Sequence, residues 1–96
     1  MAKKTQTARE WLASRGEIFE DMARDCAWIE RSINKHTGRS TTGEWWFIVK
    51  AAPGRGSVVG RLRTRTVDAL IRRGAVMSSG EEIDGVDNVT QYVHLD

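Results

Sequence analysis

The sequence predicts an α+β domain, in which a long N-terminal helical region packs on a small antiparallel sheet carrying one short inserted helix and a C-terminal hairpin. Three observations carry this prediction. Apolar residues recur at steps of three and four between Thr7 and His36; aromatic and β-branched runs bounded by turn residues follow from Glu44; and one capped stretch, Thr66 to Arg73, returns to helical spacing. The chain of 96 residues has length for one domain, and its four Trp supply large apolar area for a compact core. Residues 1–6 are expected to be disordered and 7–96 to form the domain, divided into a helical region (7–36), a loop (37–43) and a sheet with its short helix (44–96).

In the helical region the apolar stripe runs through Trp11 and Leu12, then Phe19, Met22, Cys26, Ile29 and Ile33. Gly16 divides it into a short first helix and a longer second one. Thr7 caps the first, with Glu10 three residues on to complete a capping box. The stripe is expected to lie over the sheet; a dimer seam is the alternative, leaving the choice between monomer and homodimer open. Thr37 to Gly43 holds two glycines and four hydroxyl residues, a helix stop and an exposed loop.

Glu44 to Lys50 reads as a strand buried on both faces. Pro53 and Gly54 suit the central positions of a type II turn, so the chain is expected to return through Ser57 to Arg65. A period of two then puts Arg61, Arg63 and Arg65 on one face and Gly60, Leu62 and Thr64 on the other. Thr66 is a helix cap, Asp68 suits the first turn, and Arg72-Arg73-Gly74 closes the helix with cations and a left-handed glycine. Val67, Leu70 and Ile71 form its apolar stripe. Ala75 to Met77 and Val89 to Leu95 read as paired strands joined by an acidic loop, Ser78 to Asn88, with Val89, Val93 and Leu95 facing one way.

Charge is sorted along the chain. The total is +2, yet Met1 to Asn34 is neutral, Lys35 to Gly74 carries nine cations against Glu44 and Asp68, and Ala75 to Asp96 carries five acids and no Lys or Arg. A basic block of this density attracts polyanions, and phosphate backbones are the commonest of these. The candidate nucleic-acid contacts are Arg55, Arg61, Arg63, Arg65, Arg72 and Arg73. The competing reading makes the arginines a solvated face that balances the acidic end. The acids Glu81, Glu82, Asp84 and Asp87 form a candidate surface for a basic protein partner.

Thr64 to Leu95, with a helix ending Leu70-Ile71-Arg72-Arg73-Gly74 and a hairpin finishing Gln91-Tyr92-Val93-His94-Leu95, resembles the winged-helix DNA-binding proteins. The resemblance implies that Arg65, Thr66, Arg72 and Arg73 sit on the helix that meets DNA and that Ser78 to Asn88 is the wing tip. That family carries a second helix before the recognition helix, where this chain has the β-like, Gly-interrupted Val58 to Arg65. A wing bearing Glu81, Glu82, Asp84 and Asp87 would be repelled by phosphate.

No constellation of nucleophile, base or metal ligands converges in the sequence, so a non-enzymatic protein without cofactor or metal is expected. Cys26 falls in the apolar stripe, where a thiol is a small hydrophobe. His36 lies at a helix end and His94 on a strand; neither has ligand spacing to Cys26. Gly54-Arg-Gly-Ser-Val-Val-Gly60 has the glycines of a phosphate loop without the Gly-Lys-Ser/Thr ending, and it precedes a strand. Trp45, Trp46 and Phe47 fit core packing, with base stacking as the alternative. A lone cysteine, no export signal and no long apolar run suggest a cytoplasmic protein outside the membrane. The expected function is nucleic-acid binding by a small regulator. The alternative is a small adaptor or inhibitor, of phage or mobile-element type, that blocks a host protein complex.

Overall fold

The computed structural model describes residues 6–80 and 87–95. Its elements follow in the order α1 (Ala8–Ala13), α2 (Glu17–Asp25), β1 (Trp28–Asn34), β2 (Trp45–Ala52), β3 (Arg55–Arg63), α3 (Thr64–Arg72), β4 (Val76–Ser79) and β5 (Asn88–His94). The strands form one five-stranded sheet in the order β3-β2-β1-β5-β4, with every neighbouring pair antiparallel. The chain is α+β, as its sequence predicts, with strands dominant. The expected disorder of residues 1–6 lies outside the described residues but for the exposed Gln6.

Local signals form the elements they predict. The Thr7 hydroxyl accepts from the Glu10 backbone N–H at 3.1 Å, and the Glu10 carboxylate accepts from the Thr7 N–H at 3.2 Å, so the capping box opens α1. Gly16, at φ 145°, divides α1 from α2. The β2–β3 turn closes between Ala52 and Arg55 with Gly54 at φ 77°, the left-handed value that a type II turn requires.

The helical region is shorter than its spacing predicts, because it stops at Asp25 and Trp28–Asn34 is the central strand. Ile29 and Ile33 are four residues apart, which satisfies a helix turn and also returns to the same face of a strand. Long-range pairing decides between the two: Ile29 lies opposite Ile48 on one side and Val93 on the other. A second correction concerns α3, which starts at Thr64 rather than Thr66. Arg65 therefore leaves the strand face it was expected to share with Arg61 and Arg63, and Thr66 is buried inside the helix instead of capping it.

Opposed residues share a sheet face. Ile29, Ile48, Trp46, Leu62 and Val93 lie on one face, and all are at most 2% exposed. Leu12 and Ala8 of α1, Ala23 of α2, and Val67 and Leu70 of α3 join them in one core. All three helices thus cover the same face. The opposite face carries Trp28, Glu30, Trp45, Phe47, Val49, Arg61, Arg63 and Tyr92, so β2 is not the doubly covered strand its apolar run suggests. On that second face Val49 is buried beneath Trp28, and a Cβ on Gly56 would come within 2.3 Å of Val49 Cγ1 and 2.8 Å of the Trp28 ring. Glycine is there because the ring occupies the space a side chain would need.

The core position of Ile29 predicts a large penalty for its truncation. Ile29→Ala should lower unfolding free energy by about 2–5 kcal/mol without changing the mass in solution. Denaturant unfolding and sedimentation check this, and a loss below about 0.5 kcal/mol with a change in mass would mark a dimer seam. Gly56→Ala should cost about 1–3 kcal/mol through overpacking against Trp28.

Candidate nucleic-acid interface

The neighbouring tryptophans of β2 point to opposite layers because a strand alternates its side chains. Trp46 is 2% exposed in the core, whereas Trp45 is half-buried on the face without helices. Two guanidinium groups rest on Trp45: Arg61 Cζ lies 4.3 Å from its ring centroid and Arg63 Cζ 5.4 Å. The arrangement follows from register, since Arg63 is directly opposite Trp45 and Arg61 is opposite Phe47. A cation over an aromatic face is held electrostatically while its N–H groups stay free for an anion. Among the described residues neither arginine has a carboxylate within salt-bridge distance. The ion pairs there are Arg24 with Asp21 (3.1 Å) and Asp25 (3.3 Å), and His36 with Asp87 (3.3 Å).

The six arginines of the basic block do not form one cluster. Arg61 and Arg63 belong to the open face, whereas Arg55, at the start of β3, lies opposite Ala52 of β2, a register position of the other face. Arg65, Arg72 and Arg73 are exposed on and just after α3, in the helical layer. There Arg73 Cζ is 4.8 Å from the Trp11 ring centroid, and Arg15 Cζ is 4.9 Å from the same ring. Arg15 is a cation that the sequence reading overlooks, because it lies outside the basic block; it meets Trp11, four residues earlier, from just past the end of α1. Of the acidic set, Glu81, Glu82 and Asp84 lie outside the described residues. Asp87 is exposed and faces His36.

A concavity of about 240 Å³ lies where α2 meets β3, lined by Ile18, Asp21, Met22, Asp25 and Val59. Ile18 is 69% exposed. No three His, Cys, Asp or Glu side chains converge as a metal site among the described residues. No helix among them is long and apolar enough to cross a membrane. The chain matches no protein-family model, no curated protein and no solved structure.

Cys26 caps the end of α2 as a free, buried thiol, and burial pushes its pKa up from 9.0 to about 11 against the opposing pull of Arg9. Its thiolate fraction near pH 8 falls about 100-fold below that of an unperturbed thiol. Native protein should therefore react with iodoacetamide at least tenfold more slowly than urea-unfolded protein, a ratio about 100-fold at full effect. The neutral thiol is favoured by folding, so its contribution to stability is complete below pH 9 and is lost as pH rises through about 11. Equal labelling rates would show Cys26 to be accessible.

Proposed function

We propose that this domain is a non-enzymatic nucleic-acid-binding protein, a small regulator in a reducing cytoplasm, that grips phosphates at the basic side of its open sheet face. The observation that carries this reading is the pair Arg61 and Arg63, oriented by Trp45 and unneutralised by any carboxylate among the described residues. Arg65 follows in the first turn of α3. Phosphate contacts position a protein on nucleic acid without reading its sequence.

A winged-helix mode of docking places the emphasis elsewhere, on Arg65, Arg72 and Arg73 of the α3 segment. The order of α3, Gly74 and the β4–β5 pair matches that mode. The strand preceding α3 and the position of β5 inside a five-stranded sheet favour the open face instead. The two modes separate cleanly by mutation. In a salt titration log affinity should fall linearly with log salt, and Arg61→Ala with Arg63→Ala should weaken binding to all sequences alike while reducing the slope by about 1.5. Arg72→Ala with Arg73→Ala should change it less. If the second pair dominates, α3 is the docking element; if neither matters, the arginines are a solvated face.

A second reading, a protein-binding adaptor or inhibitor, is favoured by the concavity at Ile18, Met22 and Val59, whose apolar lining suits an apolar partner segment and whose rim acids Asp21 and Asp25 are paired with Arg24. The acids Glu81, Glu82, Asp84 and Asp87 add negative charge at the other end of the chain. Neutralising all four should strengthen nonspecific DNA binding under the first reading, because it removes repulsion from phosphate. Under the second it should weaken a host protein complex and leave the fold intact. Fluorescence titration with DNA beside a binding assay for the complex distinguishes them.

A further inference from the structure

Across the middle of the sheet, one row of residues on the open face runs from edge to edge. Register puts Arg61 opposite Phe47, Phe47 opposite Glu30, Glu30 opposite Tyr92, and Tyr92 opposite Ser78. The row therefore reads cation, aromatic, carboxylate, aromatic, hydroxyl. Neighbouring strands are about 4.8 Å apart, so the two aromatic positions are separated by about 10 Å with Glu30 midway. Tyr92 is also stacked on His94, at 6.3 Å between centroids and 27° between planes. Phe47, Glu30 and Tyr92 are all half-buried, and no helix of the described residues lies over them. The Glu30 carboxylate makes no ion pair or side-chain hydrogen bond among the described residues.

A carboxylate in the centre of a phosphate-binding surface would oppose its own ligand. A duplex laid on this face would bring phosphates against Glu30, because its bases are turned inward. A single strand can do the reverse: its phosphates run along Arg61 and Arg63 at the β3 edge, and its unstacked bases lie inward over the sheet. Base faces then meet Phe47 and Tyr92, and base edges meet Glu30. A carboxylate accepts hydrogen bonds from amino and imino N–H groups, which cytosine offers at N4 and thymine lacks at that position. We infer that the ligand of this face is single-stranded nucleic acid, stacked on Phe47 and Tyr92, with Glu30 selecting bases that present an amino group. This rests on the nucleic-acid reading above and adds the strand state and the base preference to it.

The test uses the intact chain and four probes of equal length: oligo-dC, oligo-dT, an abasic strand carrying the same phosphates, and a mixed duplex. Oligo-dC should bind about tenfold tighter than the abasic strand or the duplex. It should also exceed oligo-dT about fivefold. Phe47→Leu and Tyr92→Leu should each lose about tenfold on oligo-dC and leave the abasic strand unchanged. Glu30→Gln should bring oligo-dC and oligo-dT within about twofold of each other. Because the probe comparison is made on the unaltered protein, it stands even where a variant folds poorly. Equal binding of the abasic strand, the duplex and oligo-dC would overturn this inference and leave phosphate binding intact. An unchanged dC to dT ratio in Glu30→Gln would also overturn it. Binding of none of the probes would overturn the nucleic-acid reading itself. A dimer that Phe47→Glu dissociates would show a second copy on this face and overturn the inference as well.

Discussion

The structure depends on an imbalance of cover: three helices of six, nine and nine residues face a sheet of five strands. At about 1.5 Å per residue these helices are about 9 to 14 Å long, and a five-stranded sheet is roughly 20 Å wide. They can close one face and no more. The shortest extent of the molecule, 20 Å, is that of two layers. Ile29, Ile48 and Trp46 are sealed by Leu12, Val67 and Leu70, while every residue that alternates with them is left without a helix above it. The open face is the consequence of the core, because period-two alternation assigns each strand residue to one or the other.

That constraint explains which parts of the fold the sequence discloses. Thr7 with Glu10, Gly16, Pro53 with Gly54, and Gly74 each act within a few residues, so their signals are complete in the local sequence, and all four mark the boundaries they predict. The helix spacing from Met22 through Cys26 to Ile29 and Ile33 misleads because its step of four, Ile29 to Ile33, is also an even step along a strand. Only contacts with Ile48 and Val93, 19 and 64 residues further along, make Ile29 a strand residue. The end of β3 shows the same limit. Alternation places Arg61 and Arg63 together, but Thr64 turns the chain into α3 when its N–H and hydroxyl both donate to the Glu44 carbonyl, at 2.7 and 3.0 Å. The basic block is continuous in sequence and divided in space.

Arginine on tryptophan occurs on both sides of β2, and the contrast between the two sides separates structure from binding. Inside, Arg31 lies 4.3 Å over Trp46, donates to the Gln91 side chain at 2.9 Å, and feels Asp68. Burial pulls its pKa below the ordinary value, with Asp68 opposing, and its Nε–H is engaged within the protein. Outside, Arg61 and Arg63 are exposed and, among the described residues, have only the Trp45 ring to hold them. The same contact is structural where the guanidinium is half-buried and bonded within the fold, and available where it is solvated.

Availability also has an energetic side. An arginine free in solution loses up to about 2 kcal/mol of rotamer freedom when a ligand fixes it. Stacking on Trp45 confines both guanidinium groups in the protein alone, so part of that cost would be borne by folding in the proposed phosphate complex. The Trp45 ring is occupied by this work, which is why the proposed base stacking is assigned to Phe47 and Tyr92 rather than to the larger indole beside them. The division of labour follows from register: Trp45 lies opposite an arginine and diagonal to another, whereas Phe47 and Tyr92 flank the short acceptor Glu30. Cations at the β3 edge and aromatic rings around a central carboxylate are thus two parts of one surface, ordered by the pairing of β3, β2, β1 and β5.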